Sequence, residues 1–248
     1  WSDLTNGSFG ARFFPKGFIF EATGPCYFGE NLYEMLGYMN SNVFNYLAKL
    51  TMSTMHYTNG SIANMPYMQL GVDTQIVKDN IAISKKEWDS YETSWEFGRS
   101  PLMKDSFNSI EQAFISYKYD MKLDAEKLLE NERNLNSFYV NEFNLTNEVN
   151  NDLNVSDLTI RTITKRKTIE SFIHYAVGII FGRYSLDEEG LIYAGGEWTS
   201  SRYKKFKPDT DNVLLITDDE YFKDSQIDIV NRFIDFVEVT FGKDTLEE

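Results

Sequence analysis

The spacing of apolar residues predicts two kinds of element in the first third of the chain. Residues 9–14 and 17–23 are rich in aromatic and β-branched side chains, and the Pro15-Lys16-Gly17 tripeptide between them is typical of a turn. They therefore predict a pair of strands. From Leu32 to Leu50, apolar residues recur every three or four positions. That spacing predicts an amphipathic helix, interrupted near Asn40-Ser41-Asn42.

The rest of the chain has mainly helical spacing. Residues 73–83 and 85–97 predict two short helices, with Ser84 as the N-cap of the second. The longest predicted helix begins at Ser100-Pro101, because serine caps helices and proline suits their first position, and it extends to Leu135. Further helices are predicted over 169–180 and 227–241, and a short hairpin or loop over 191–198.

These elements together predict an α+β protein. Residues 1–83 are expected to form a small mixed α/β domain. Residues 84–248 are expected to form a mainly helical region with long antiparallel helices and a short hairpin near 191–198. No apolar run approaches the ~20 residues that span a bilayer, so we expect no membrane partner.

The distribution of charge separates the two regions further. The 248 residues include 24 Lys and Arg against 38 Asp and Glu, a formal net charge of −14. That balance argues against a general polyanion-binding protein, which usually has a basic surplus. Residues 1–70 contain three basic and four acidic residues, whereas the remainder holds 21 basic and 34 acidic ones. The first region is therefore the better candidate for contact with a polyanion.

Motifs of known catalytic sites are missing from the sequence. It contains no phosphate-binding glycine loop, no Pro-Pro dipeptide of an amino-methyltransferase and, with only Cys26, His56 and His174, no Cys/His zinc cluster. Asp209 followed by Glu220 resembles a nuclease pair, but the spacing to the next lysine is one residue too long. The sequence therefore predicts no catalytic residue and no metal site. The single cysteine suits a reducing cytoplasm, which is the expected location.

Two basic clusters stand out from the acidic background. Residues 161–167 include four cations at the start of a predicted helix, where a phosphate would be stabilised by cations and free N–H groups together. Acidic side chains on neighbouring helices are the alternative partners, and we favour them. Residues 202–207 interleave aromatic residues with cations, as in contacts with a nucleic-acid backbone, and an exposed loop without a partner explains them equally well.

A polar stretch, Thr51 to Asn59, follows the predicted amphipathic helix. Its side chains are short, mostly neutral and rich in hydrogen-bond donors and acceptors. Such groups read base edges in a DNA groove, where charge alone would bind without discriminating. Polar loops after helices are also common, so the pattern by itself is weak.

Several longer segments of the sequence are distinctive. They are residues 1–3, 11–20 (ARFFPKGFIF), 36–41, 62–66, 83–95 (ISKKEWDSYETSW), 175–187, 190–196 (GLIYAGG) and 241–248. The early segments resemble target-recognition domains of type I specificity subunits and type IIG restriction-modification enzymes. The whole set is more similar to the adenine-specific DNA methyltransferases of BREX phage-defence systems, the PglX-like family.

The resemblance implies that the chain is a fragment of a longer protein. It would comprise the target-recognition domain and helical spacer, with the methyltransferase domain before Trp1 and further sequence after Glu248. The implied reaction of the parent is S-adenosylmethionine-dependent N6-methylation of adenine at a specific DNA site. The cofactor and all catalytic residues would belong to the parent's missing domain. The fragment itself would be no enzyme.

Candidate DNA contacts follow from the resemblance together with the polar stretch. Phosphates would be contacted by cations of the first region, and bases by the polar residues around and after the predicted helix. The set is Arg12, Lys16, Asn40, Ser41, Asn42, Lys49, Thr51, Ser53, Thr54, His56, Thr58 and Asn59. The type IIG pattern has Arg or Glu in the polar stretch whereas this chain has only His56, so base identities do not transfer.

Three functions are compatible with these observations. The first is a DNA sequence-recognition module that binds double-stranded DNA beside the rest of the methyltransferase. The alternative is a protein-interaction scaffold that docks the methyltransferase domain or other phage-defence proteins. The third and weakest is a nuclease built on Asp209 and Glu220.

Overall fold

Helices dominate the structure, a computed structural model that describes residues 1–52, 56–103, 107, 109–216 and 228–247. About 48% of the described residues are helical and about 2% are in strand bridges. The α-helices of the described residues are α1 (Leu32–Met39), α2 (Asn42–Thr51), α3 (Asn59–Ala63), α4 (Thr74–Trp88), α5 (Ile110–Glu142), α6 (Lys165–Ile180) and α7 (Ile229–Phe241). Short 3-10 turns lie at Val155–Asp157, Ser200–Arg202 and Lys243–Glu247. None of the described helices is long and apolar enough to cross a membrane.

The predicted α+β class, with its mixed α/β domain, is wrong. The described residues form no sheet, and their strand pairing is limited to two isolated bridges, Leu4 with His56 and Leu215 with Asp228. The protein is mainly helical.

Asparagine side chains explain why the first extended segment needs no partner strand. The N–H of Phe9 donates to Asn45 Oδ1 (2.9 Å), and the N–H of Ala11 donates to Asn40 Oδ1 (2.9 Å). The Asn40 amide also donates to the Ala11 carbonyl at 3.2 Å. Backbone groups that a ladder would pair are thus satisfied by side chains from the helical hairpin α1–α2.

The predicted turn at Pro15-Lys16-Gly17 is present, but it joins no strands. Gly17 has a φ of +106°, a conformation that glycine adopts at little cost. Residues 12–28 form a loop, anchored on one side by Ala11 and on the other by the hydrogen bond from Asp3 N–H to the Thr23 carbonyl (3.1 Å). We call these residues the aromatic loop.

The interruption between α1 and α2 is confirmed. Ser41 is the N-cap of α2, and its hydroxyl accepts from the N–H of Phe44 at 3.1 Å. It also donates to the carbonyl of Tyr38, at the end of α1, at 2.7 Å. This one buried hydroxyl therefore ends one helix and starts the next.

Two of the predicted helix starts are wrong. Ser84 lies inside the continuous helix α4, because no glycine or proline between Thr74 and Trp88 stops it. Ser100 caps only a turn, in which its carbonyl accepts from Met103 N–H. The long helix begins at Ile110, where the carbonyl of Ser109 accepts from Ala113 N–H (3.1 Å), and it extends to Glu142.

The chain forms two compact units, each discontinuous in sequence. Unit 1 comprises Trp1–Ser84 and Asp124–Thr159, and unit 2 comprises Lys85–Leu123 and Ile160–Glu248. Helices α4 and α5 therefore contribute residues to both. The core of unit 1 contains Phe9, Tyr38, Val43, Phe44, Val77, Tyr139 and Val140, and that of unit 2 contains Leu102, Phe172, Tyr175, Ala176, Ile179, Ile180 and Phe236.

Candidate nucleic-acid interface

The end of α2 and the start of α3 carry exposed polar side chains, as the polar stretch predicts. Thr51 is exposed at the last residue of α2 and Asn59 at the first residue of α3. Thr58 caps α3 by accepting from the N–H of Ser61 at 3.2 Å. Ser53 and Thr54 lie outside the described residues. We call Thr51, His56, Thr58 and Asn59 the polar surface.

Contacts with the first residues of the chain hold His56 in place. Its Nδ1 lies 2.9 Å from Asp3 Oδ2, and the next residue, Tyr57, donates its N–H to the Asp3 carbonyl at 2.6 Å. The Trp1 indole N–H donates to the Tyr57 carbonyl at 2.7 Å. The carboxylate of Asp3 therefore helps to orient the exposed imidazole.

The Asn40-Ser41-Asn42 group serves the fold. Ser41 is buried, and Asn40 bonds the extended segment as described above. Asn42, the first residue of α2, is bonded to residues far along the chain. Its N–H donates to Asn136 Oδ1 (2.6 Å), and its side-chain amide donates to the carbonyl of Asn150 (2.9 Å). Asn42 thus ties the α1–α2 hairpin to the second part of unit 1, whereas Asn40 and Ser41 bond residues of the first part.

The three predicted phosphate contacts, Arg12, Lys16 and Lys49, are exposed and belong to unit 1. Lys16 lies at the turn of the aromatic loop and Lys49 in the last turn of α2. Arg12 donates to the carbonyl of Ala11 at 3.0 Å. Burial raises the pKa of the Glu132 carboxyl, and the Arg12 charge opposes that shift. Arg12 is therefore partly engaged by an acid of its own unit.

The basic cluster 161–167 is half neutralised by acids. Arg161 lies 3.6 Å from the buried carboxylate of Glu87 and stacks on the ring of Tyr91, 4.0 Å from its centroid. Burial raises the pKa of Glu87, and the charge of Arg161 lowers it in part. Arg166 pairs with Glu170 at 2.8 Å. The expected acid on another helix is thus present for Arg161, whereas the partner of Arg166 lies on its own helix α6.

The second basic cluster has its aromatic residues buried. Tyr203 stacks on Trp198, with ring centroids 4.6 Å apart, and donates its hydroxyl to the Gly182 carbonyl. Phe206 packs in the core of unit 2. The rings between the cations of 202–207 are therefore not available to stack on bases. Arg202 is engaged by Glu188 at 2.7 Å.

The remaining candidate chemistry finds little support in the described residues. Asp209 accepts the backbone N–H groups of Asp211 and Asn212 in a local turn, while Glu220 lies outside the described residues. No group of three or more metal-binding side chains exists among the described residues. His174 is exposed and lines an open cleft of about 350 Å³ with Glu92 and Arg183.

The sequence does not predict that the aromatic loop is exposed. Ile19 is 99% exposed, and Phe14, Phe18, Phe20 and Phe28 are between 39% and 77% exposed. Residues 9–14 and 17–23 looked like strands because they are rich in aromatic residues. The aromatic pattern indicates burial, which holds for Phe9 and Ala11, whereas Phe14 and residues 18–20 are exposed.

Two curated relatives match the chain over its whole length. Adenine-specific methyltransferase PglX of Lacticaseibacillus casei (strain Zhang) is 33% identical over 258 residues, which cover 100% of this chain and 21% of that protein. Adenine-specific methyltransferase BrxX of Escherichia coli O9:H4 (strain HS) is 32% identical over 276 residues, which cover 100% of this chain and 22% of that protein. The chain is homologous to these adenine-specific methyltransferases.

This homology confirms the resemblance to the PglX-like family. The chain spans about a fifth of the length of PglX and BrxX. No family model matches it.

The described residues do not fit S-adenosylmethionine, the cofactor that the methyltransferase family implies. A cofactor loop of this kind needs a strand, a glycine-rich turn and the N-terminus of a following helix, and the described residues contain no sheet. No step of methyl transfer is therefore assigned to residues of this chain.

Proposed function

We propose that this chain is a DNA sequence-recognition module of an adenine-specific methyltransferase used in phage defence, with unit 1 as its DNA-contacting part. Lys16 and Lys49 contact phosphates, and the polar surface faces base edges. Methyl transfer, and the S-adenosylmethionine that it uses, belong to the rest of the methyltransferase. The homologous relatives, both adenine-specific methyltransferases, support this role.

The observation that carries the proposal is an exposed surface rich in neutral hydrogen-bonding groups, whose His56 is paired with Asp3. Residues 35–72 contain no Asp or Glu, in a chain whose net charge is −14. The exposed members of the polar surface lie within this acid-free range. Neutral donors and acceptors discriminate base edges, while nearby cations supply attraction to the backbone.

Two substitutions test the two roles. In the full-length methyltransferase, His56→Ala should change which sites are methylated, because a group that reads a base edge is lost. Lys16→Ala should leave the methylated motif unchanged and lower the duplex affinity of the chain, reducing the slope of log K against log salt by about 0.9 per phosphate contact. Methylome sequencing and fluorescence anisotropy at several salt concentrations measure the two effects.

Lys127→Ala is the matched control for the lysine, because Lys127 is an exposed cation of the same unit that pairs with Glu130. It should alter neither affinity nor motif. An unchanged motif in the His56 variant removes His56 from the reading surface. Absence of duplex binding at low salt, by the chain and by the full-length protein, contradicts the proposal.

A protein-interaction scaffold is the second candidate, and one exposed stripe favours it. Ile115, Tyr119 and Leu123 are exposed at successive turns of α5, in unit 2. Apolar stripes of this kind are typical of helix-docking surfaces. This candidate is favoured if Tyr119→Ser abolishes methylation by the full-length protein while the duplex affinity of the chain stays unchanged.

A further inference from the structure

The tip of the aromatic loop is the most exposed apolar group of unit 1. Ile19 follows Gly17, whose positive φ turns the chain, and its side chain is 99% exposed. Scattered apolar side chains on a surface are ordinary, but a contiguous group of them marks an interaction site. Here five neighbouring apolar residues, Phe14, Phe18, Ile19, Phe20 and Phe28, are exposed together.

Contacts among the phenylalanines brace the tip. Phe14 packs edge-on against Phe18 and Phe20, with ring centroids 5.2 and 5.8 Å apart, and Phe20 packs against Phe28 at 6.0 Å. Edge-to-face pairs of this kind are favourable beyond the area they bury. The loop therefore presents Ile19 on a preorganised aromatic support.

The base of the loop is tied to the helices of unit 1. Phe13 stacks on Tyr33 of α1 at 5.9 Å, and the ammonium of Lys78, on α4, lies 5.0 Å from the centre of the Tyr33 ring. On the other side, the hydrogen bond between Asp3 and Thr23 holds the returning chain. The base of the loop is thus held in place by the packed helices of unit 1.

Charge favours nucleic acid over an acidic or neutral partner. Residues 4–20 contain Arg12 and Lys16 and no Asp or Glu, although acids outnumber bases in the whole chain. Both cations are exposed and precede the tip in sequence, and the exposed Glu21 follows it, so residues 12–28 carry a net charge of +1 in a chain of net charge −14. An apolar tip on a loop with a local basic surplus matches the stacked bases and phosphates of duplex DNA.

From these observations we infer that Ile19 is a wedge that inserts between base pairs of duplex DNA, supported by Phe18 and Phe20. Isoleucine and phenylalanine are among the side chains that unstack base steps in this way. An enzyme that modifies a base has to extrude it from the stack, so a wedge beside the target lowers the cost of access. The inference rests on the proposed DNA-recognition function.

DNA topology provides a test that does not require the recognised sequence. A closed circular plasmid of several thousand base pairs, relaxed by a topoisomerase with the full chain bound, should change its linking number because insertion unwinds the duplex. Ile19→Ser should abolish most of this change while altering plasmid affinity by no more than about threefold, since phosphate contacts dominate affinity. Ile19→Leu should restore the topological change.

Ile216→Ser is the matched control, because Ile216 is 82% exposed in a loop of unit 2. It should behave as the unaltered chain in both measurements. Binding without a change in linking number, or an equal change with Ile19→Ser, overturns the wedge and leaves the recognition function standing. Absence of plasmid binding at low salt, by the chain and by the full-length methyltransferase, overturns both. The wedge is also overturned if the chain self-associates, Ile19→Ser abolishes this self-association and the linking number of the plasmid is unaffected. That result would identify the loop as a protein contact.

Discussion

Asparagine side chains act as substitutes for a neighbouring strand in unit 1. Asn45 bonds both the N–H and the carbonyl of Phe9, and Asn40 does the same for Ala11. Sequence patterns do not predict this arrangement, because the bonds join residues 29 or 36 positions apart and polar residues on a helix are usually solvated. The apolar pattern of residues 9–14 predicts a strand because it indicates that Phe9 and Ala11 are buried. It does not indicate which groups bond their backbone.

Asn45→Ala tests this role at the scale of one residue. Loss of the amide leaves the backbone groups of Phe9 without their partner, so the free energy of unfolding should fall by about 1–3 kcal/mol. Urea denaturation followed by circular dichroism measures the change. Asn134→Ala is the control, because Asn134 is an exposed helical asparagine of the same unit, and it should be neutral or slightly stabilising. Equal effects of the two substitutions would contradict the role.

At the scale of elements, the periodicity located most helices but not their ends. The break between α1 and α2 and the end of α6 before Gly182, with its φ of +75°, were predicted correctly. The start of α5 was placed at Ser100, because serine before proline is a strong local signal. Leu102 is instead fully buried, and that tertiary contact is not encoded in the capping pattern.

Helix α6 depends on a close approach at Gly178. A Cβ there would lie 2.6 Å from the ring of Tyr184, which is buried between Phe97 and Tyr175. Gly178→Ala should therefore destabilise the protein by about 1–3 kcal/mol, as overpacking of a core does. Thermal and urea denaturation measure it.

Gly60→Ala in α3 is the matched control for this prediction. A Cβ at Gly60 would have no neighbour within 4 Å, and alanine is the better helix former. It should be neutral or stabilising by up to about 1 kcal/mol. A Gly178 variant as stable as the Gly60 variant would show that Tyr184 can move aside.

At the scale of the whole molecule, folding redistributes charge. Along the sequence, residues 1–70 are nearly neutral, but unit 1 also contains residues 124–159, which have two basic and eight acidic residues. Unit 1 therefore holds six basic and 14 acidic residues and unit 2 holds 18 and 24, so both are acidic. The chain alone should bind DNA weakly, and the rest of the methyltransferase should supply much of the phosphate attraction.

Neutralising exposed acids of residues 124–159 should strengthen binding to duplex DNA. Combined Glu142→Gln, Glu148→Gln and Asp152→Asn substitutions remove repulsion from unit 1, so affinity should rise at low salt. The gain should vanish near 1 M salt, where the Debye length falls to about 3 Å. Fluorescence anisotropy across a salt series measures it. A gain that is independent of salt would point to a change in structure rather than in charge.

The sequence by itself determined the helical periodicity of most of the chain, the lack of recognisable catalytic motifs and the resemblance to the PglX-like methyltransferases. These properties are local, since they depend on residue types at short spacings. The tertiary structure decided the mainly helical class, the exposure of the aromatic loop and the acidic character of unit 1. Each depends on contacts between distant residues: asparagine amides replace a partner strand, and an acidic segment that begins 40 positions after Ser84 joins the first unit.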